Sequence, residues 1–558
     1  MHYLMSTSWP TPSISPAAKD WLTPCCGLIG GYYIEDKCVI GEVVNMNTQK
    51  IIGVDIGTTG CRAVIYQQDG TTVGSKSVEY PLYTPQAAWA EQDAEEILQG
   101  VLVVLKEVIA EARLAPHDIA GVCFSSVMHS MIPVDTAGHP LERMQTWADS
   151  RGQDYIEKIK ESHDADSIYF KTGCPIHPMY PLFKMIWLKN ERAEIFFRAV
   201  KFIGIKEYIC HHLLGKYLVD ESIASATAVY NIHARTWDKD LLDMVGITAD
   251  KLSEILPTTH IERSIKPEIA AMLGLAPDTA IILGASDGVL STLGSGAVNP
   301  GQVTAMIGTS GAVRMITNKP QADEKQRTWC YNLAGDTWVL GGALSNGGVA
   351  FRWARDKFAT TEQRVAANLG LDTYEILGRY AEQKPAGCEG LIMLPHFSGE
   401  RAPYYNANSR GVLFGLNLNH GKRHLIRATL EGIIYGMFSI FKSLEEVAGA
   451  VNEIRVGGSF TRSKVWVQIM ADVFGRIIHV PGEPEGSAFG AAVLGMYALG
   501  IIGDLKEVEK FITIKETYYP NEENKEIYQK LFGIYERIYW NLQKEYEEIA
   551  EIQRNWKK

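Results

Sequence analysis

Missing from this sequence are any CxxC pair, any histidine at ligand spacing from a cysteine, and any run approaching the ~18 apolar residues of a membrane-spanning helix. Those gaps exclude a zinc ribbon, a dithiol redox motif and a helical membrane anchor. The nine cysteines, scattered at 25, 26, 38, 61, 123, 174, 210, 330 and 388, read as reduced thiols. Basic excess is missing too. With 54 Lys and Arg against 65 Asp and Glu, the net charge is −11, which leaves no basic face for nucleic acid. The chain start lacks a basic segment followed by an apolar core, so no export signal is read. These absences predict a cytoplasmic protein without nucleic-acid or membrane partners. Compositional bias is also absent: 46% hydrophobic and 21% charged residues describe a globular chain, and 558 residues require more than one core.

What the sequence does contain is a repeated loop. Residues 51–67, IIGVDIGTTGCRAVIYQ, read as two apolar strands joined by Gly57, Thr58, Thr59 and Gly60. Glycines let a backbone approach an anion, the loop N–H groups and hydroxyls can donate to phosphate oxygens, and Asp55 at the strand end is placed to hold a hydrated Mg²⁺. By itself such a stretch is more often an ordinary hairpin. Residues 303–317, VTAMIGTSGAVRMIT, then repeat it. Gly308, Thr309, Ser310 and Gly311 align with the first loop, and Met306 stands where Asp55 does. Two such loops would clamp a polyphosphate from both sides, with a carboxylate supplied by the first alone.

Around the loops, strands and helices alternate, which predicts an α/β fold with its site at the strand ends. Asp93 and Glu96 form a capping box for a helix lined by Ile97, Val101, Val104, Leu105 and Val108. Residues 121–126, GVCFSS, are a strand that runs into Met128 and His129; a lone histidine is more often structural than functional. MQTWADSR at 144–151 reads as a further strand with polar residues at its end. In LGASDGVLSTLG, 283–294, Asp287 lies at the bend between a strand and a helix of small residues, where an N-cap is the commonest role. The small residues of 220–231 suit close packing or ligand contact, and those recurring in 456–475 and 485–500 suit either adenosine or close helix packing. A charged amphipathic helix from about Glu522 is expected to cover a sheet. Residues 1–45 show no period and read as a loose extension, with Met46 a natural start.

Taken together, GVDIGTTG, AWAEQD, TWADSR, IGTSG, GERAPYYNANSRG, VGGSFTRSKVW and EGSAFGAA resemble the FGGY carbohydrate kinases, from about Ile51 to about Lys544. Within that family SSVMHS, TWADSR and TGCPIHPMYPL are most similar to the gluconate kinases. SDG at 286–288 departs from the family pattern, in which a glycine commonly precedes the aspartate and Asn or Gln follows it. The resemblance implies two actin-like, ribonuclease H-like α/β domains, 46–295 and 296–558, around a nucleotide and sugar cleft. It implies ATP and Mg²⁺ as cofactors and a sugar acid as acceptor, and it leaves a homodimer open. By the same resemblance Asp55 is the Mg²⁺-linked carboxylate, and Thr58, Thr59, Gly308, Thr309 and Ser310 form the phosphate contacts. Gly457 and Gly458 line the adenosine pocket, Met128, His129, Trp147, Asp149 and Arg151 border the sugar, and Asp287 is the base. The helix behind Asp287 is expected to keep it ionised without unusual burial. For a sugar carboxylate the cationic or donor candidates are His129, Arg151, His177 and Lys206. A pentulose kinase of the same family is the alternative acceptor reading. A chaperone of the same superfamily would need a peptide-binding domain, where this sequence shows only a terminal helix.

Overall fold

Near-continuous apolar runs such as IIGVDI and AIILGAS can be buried on both faces, which is what the centre of a parallel sheet requires. The computed structural model describes residues 49–162, 165–482 and 486–556. The expected extension 1–45, Met46, and Cys25, Cys26 and Cys38 lie outside them. In the first lobe, Lys50–Ile56, Ile119–Ser126 and Ala280–Ser286 run parallel. The hairpin partner Gly60–Tyr66 and then Thr72–Glu79 extend the sheet antiparallel on one side, and Ile261–Glu262 closes the other edge. Asp55 faces Ser125 across the ladder, and Ser286 faces Ser126. The three parallel strands therefore end side by side, so that Asp55, the segment after Ser126, and Asp287 leave the sheet at one edge.

The second lobe repeats the plan. Gln302–Ile307 pairs antiparallel with Gly311–Thr317 and parallel with Glu453–Gly457, which is followed by Ile478–Pro481 and an antiparallel Ile514–Tyr518. Beyond the hairpin, Thr337–Leu344 and Trp329–Ala334 complete seven strands. The 27-residue helix Lys422–Ala448 packs against this sheet, and its buried Ile433, Met437 and Ile440 belong to the second core.

One helix crosses back. Ser487–Ala498 lies on the strand Lys50–Ile56 of the first lobe and against the helix Asp287–Gly294. The approach depends on missing side chains. A Cβ on Gly53 would stand 1.9 Å from the Ala488 carbonyl oxygen, one on Gly490 1.9 Å from that of Leu290, and one on Gly294 2.1 Å from that of Gly486. Of the two readings of these small residues, close helix packing is therefore the one realised in 486–500. Residues 220–231 likewise pack: the Ser222 hydroxyl accepts from Ser286 N and the Ser225 hydroxyl from Asn332 N.

Three local expectations change. Asp93 does cap the helix Ala94–Ala112, accepting from Glu95 and Glu96 N, but the Glu96 carboxylate accepts from the Tyr83 hydroxyl at 2.9 Å. Residues 144–151 give only the two-residue strand Met144–Gln145, because the polar residues after it are held by a buried ion pair. Glu522–Asn541 covers helices more than a sheet, packing against Lys464–Phe474 and setting Tyr528, Phe532 and Tyr535 on Tyr435 and Phe438 of Lys422–Ala448, while Tyr539 stacks on Tyr404. The six described cysteines are free and buried, and no helix among the described residues is long and apolar enough to cross a membrane.

Candidate active site

Each glycine loop is tied down from behind. In the first, Gly57 N donates to Gly60 O, Tyr80 Oη to Gly57 O, Gln92 Nε2 to Thr58 O, and Trp147 Nε1 to Thr58 Oγ1 at 2.9 Å. In the second, Gly308 N donates to Ser310 O, and the first N–H groups of the helix Gly348–Phe358 donate to the carbonyls of Gly308 and Thr309. Those carbonyls are thereby turned away from the cleft, which leaves loop N–H groups for an anion. Gly457 pairs with Met306, and Gly458, at φ 95°, passes so close that a Cβ would lie 2.5 Å from Ile307 O. The Gly457–Gly458 turn therefore sits beside the second loop.

A cavity of about 200 Å³ joins the two lobes. Of the residues singled out from sequence, Thr58, Met128, His129, Trp147, Asp287 and Ser310 line it. Thr58 and Ser310 come from different loops, so both loops reach one cavity. Arg314, Arg401, Trp329, Tyr331 and Tyr405 complete the wall from the second half of the chain, and none of these was singled out from the sequence. Arg314 had a signal available: it follows the second loop on a strand at the side-chain register of Ala312, facing the cleft.

Asp287 is the first helical residue after Ser286, which occupies the cap position, so the N-cap reading gives way. Its Oδ1 accepts from Gly288 N at 2.7 Å. Burial, followed by the charge of Asp55, pushes its carboxyl up to about 6, against the opposing pull of Arg314. The helix dipole expected to keep it ionised is outweighed by these two effects. Asp55 is also raised by burial, with the hydroxyls of Ser487 and Ser125 pulling it back; Ser125 Oγ donates to it at 2.9 Å. Two half-buried carboxylates, each raised by burial and Asp287 further by the charge of Asp55, with neither in an ion pair among the described residues, form an arrangement that a divalent cation would relieve.

His129 is held in the left-handed region, at φ 66°, and its Nδ1 lies 2.7 Å from Ala226 O. A carbonyl can only accept, so Nδ1 carries the proton and Nε2 faces outward as an acceptor. Burial lowers the ring to about 3, which keeps it neutral. Lys184, not suggested by the sequence, ties the region together by donating to the carbonyls of His129 and Thr146.

Asp149 and Arg151 do not line the cavity. Arg151 Nη2 bonds Asp149 Oδ2 and Glu91 Oε1, each at 2.7 Å, with the guanidinium over the Trp89 ring, while Asp149 accepts from Ala90 N. The pair fastens 146–151 to 88–92 behind the site. Lys206 is ion-paired to Asp220 at 2.6 Å.

Profile comparison matches residues 50–294 to the FGGY family of carbohydrate kinases, N-terminal domain, and 303–499 to its C-terminal domain. The chain belongs to the FGGY family of carbohydrate kinases. Curated relatives of this FGGY kinase include the gluconokinase of Bacillus subtilis, 43% identical over 508 residues that cover 91% of this chain and 99% of the relative. The xylulose kinase of the same organism is 27% identical, covering 88% and 96%. Among solved structures, a gluconate kinase of Lactobacillus acidophilus superposes with a TM-score of 0.85 at 36% identity, covering 90% of this chain and 99% of that one. The two-lobed α/β fold is thus that of an FGGY kinase, and as a carbohydrate kinase it uses ATP.

Proposed function

We propose that this FGGY kinase transfers the γ-phosphoryl group of ATP to D-gluconate, giving 6-phospho-D-gluconate and ADP. The observation that carries the reading is that Asp287 shares one cavity with Thr58 of the first loop and Ser310 of the second. A proton acceptor is thereby set where two phosphate-holding loops meet. Asp287 would take the proton of the sugar hydroxyl as the phosphoryl group arrives, and the loops would hold the polyphosphate through N–H groups and the hydroxyls of Thr58, Thr59, Thr309 and Ser310. Gly457 and Gly458 border the second loop where the nucleoside would follow, and Met128, His129 and Trp147 would seat the sugar, with His129 Nε2 accepting from one hydroxyl. Asp55, with Asp287 near it, would hold a Mg²⁺ ion, which neutralises phosphate charge when bound. The cytoplasm, where ATP is kept, is the compartment this reaction suits.

The choice of gluconate is supported by the 43% identical gluconokinase against 27% for the xylulose kinase. A pentulose acceptor is the second reading, favoured by a ligand-bound Lactobacillus acidophilus structure described as a xylulose kinase, which matches at the same 36% identity and TM-score of 0.85. A coupled ADP-release assay across gluconate, xylulose, ribulose and glycerol decides between them. Gluconate should give the highest kcat/KM; a higher value for xylulose or ribulose overturns the acceptor and leaves the kinase fold standing.

A further inference from the structure

Two cations of the cavity have no work in the reaction as described. Arg314 and Arg401 both reach it from the second lobe. The Nε and Nη1 atoms of Arg314 and the Nε of Arg401 are shut off from solvent without a hydrogen-bond partner. Arg401 Nη2 donates to Leu344 O at 2.8 Å, and its guanidinium lies 5.0 Å from the Trp147 ring centre. Arg314, lowered by burial to about 10 with the charge of Arg401 adding to the fall and Asp287 opposing it, is still a cation at neutral pH; Arg401 is lowered by burial against the pull of Glu400. Asp287 and Glu400 favour these charges from a distance, but neither guanidinium is in an ion pair among the described residues; buried N–H groups without partners are costly, and planar N–H forks suit a carboxylate or phosphoryl oxygen pair. Asp287 attracts Arg314 but makes no ion pair with it within bonding distance, its Oδ1 being turned to Gly288 N. The four groups the sequence offered for a sugar carboxylate are otherwise engaged. Arg151 is bound to Asp149 and Glu91, and Lys206 to Asp220. His129 and His177 are neutral, each lowered by burial to about 3, and His129 presents a lone pair that repels an anion.

We infer that Arg314 and Arg401 together form the carboxylate site of the acceptor, so that selection of a sugar acid over a neutral sugar is made by the second lobe. This rests on the reading of the cavity as the acceptor site for gluconate. The glycine loops provide the phosphates with hydroxyls and N–H groups independently of these arginines, which stand instead in the wall shared with Trp329, Tyr331 and Tyr405. A further consequence is that the sugar would bridge the lobes, its phosphorylated end at Asp287 of the first and its carboxylate on the second.

The test compares D-gluconate with D-gluconamide, which differs only in replacing the carboxylate by a neutral amide, on wild type and on Arg314→Gln. Wild type should prefer gluconate, and Arg314→Gln should lose about 10²-fold or more in gluconate kcat/KM, mostly through KM. Its loss on gluconamide should be at least about tenfold smaller, so that the preference collapses. Arg314→Lys, which keeps the charge without the fork, should recover part of the preference, and Arg401→Gln should reduce it independently. Equal losses on both acceptors would mean that Arg314 serves the transferred phosphoryl group or Asp287, and would overturn the inference; so would an unchanged preference. If Arg314→Gln does not fold, the ratio in Arg314→Lys and Arg401→Gln decides, an unchanged ratio in both overturning it. Wild type without gluconate turnover would instead overturn the proposed function itself.

Discussion

Replacing Asp287 by Asn separates two roles by the sign of their effects. An N-cap aspartate stabilises its helix, and Asn replaces it at almost no cost. Here the cap position is Ser286, and the Asp287 carboxyl is raised from an ordinary 3.8 to about 6 by burial and by the charge of Asp55. A carboxyl whose folded pKa is raised costs stability once ionised: nothing below about pH 4, where it is protonated folded and unfolded alike, and the full amount above about pH 6. At roughly 1.4 kcal/mol per pKa unit the cost approaches about 3 kcal/mol, discounted to about 1–3 kcal/mol because the side chain is open to the cleft. Asp287→Asn should therefore raise the melting midpoint of the unliganded protein at pH 8 and leave it unchanged near pH 4. At the same time kcat should fall by at least about 10²-fold, since an amide cannot take the hydroxyl proton. Wild-type kcat/KM should climb as pH rises through about 6, in step with ionisation of Asp287 in the free enzyme. Melting curves at the two pH values and coupled ADP release check all three. A lowered midpoint at pH 8, or retention of more than about a tenth of kcat, would refute the reasoning and return Asp287 to a structural role.

Trp147→Phe removes the indole N–H that fixes Thr58 Oγ1 while keeping most of the ring. At about 0.5–1.5 kcal/mol for one hydrogen bond, kcat/KM for ATP should drop roughly two- to tenfold, and an unchanged value would show that the first loop is rigid without it. Gly490→Val drives a side chain into the Leu290 carbonyl, so the melting midpoint should fall by the equivalent of about 3 kcal/mol or more, whereas tolerance would mean that the helix pair is free to separate. Because Thr58 and Ser310 line one cavity from opposite lobes, scattering should show a smaller radius of gyration with a non-hydrolysable ATP analogue and gluconate together than with neither; an unchanged radius would count against closure.

The sequence disclosed the parts of the site that are local in the chain. Gly57–Gly60 and Gly308–Gly311 were legible because a tight turn between two apolar runs is a contiguous pattern, and the strand ends followed from alternation. The family resemblance alone assigns Asp149 and Arg151 to the sugar, and the local pattern does not test that, because polar residues after a strand look the same whether they face a ligand or each other. Their partner Glu91 is 60 residues from Arg151, and no local pattern shows such a pairing. Arg314 and Arg401 were hidden for the converse reason: an arginine in a strand or a Pro-rich loop is ordinary until the fold withholds a partner. Asp287 was found by position, but its raised pKa arises first from burial, which only the fold creates, and then from Asp55, 232 residues earlier.

The helix Ser487–Ala498 bears on the order in which the chain takes shape on the ribosome. Ile51, Gly53 and Cys123 of the first lobe are covered in part by Ala488, Gly495 and neighbouring residues. Until that helix has been made, this face of the sheet lacks part of its native cover. The first lobe therefore completes its packing only once residues 487–498 have been made, and apolar surface left open until then favours association.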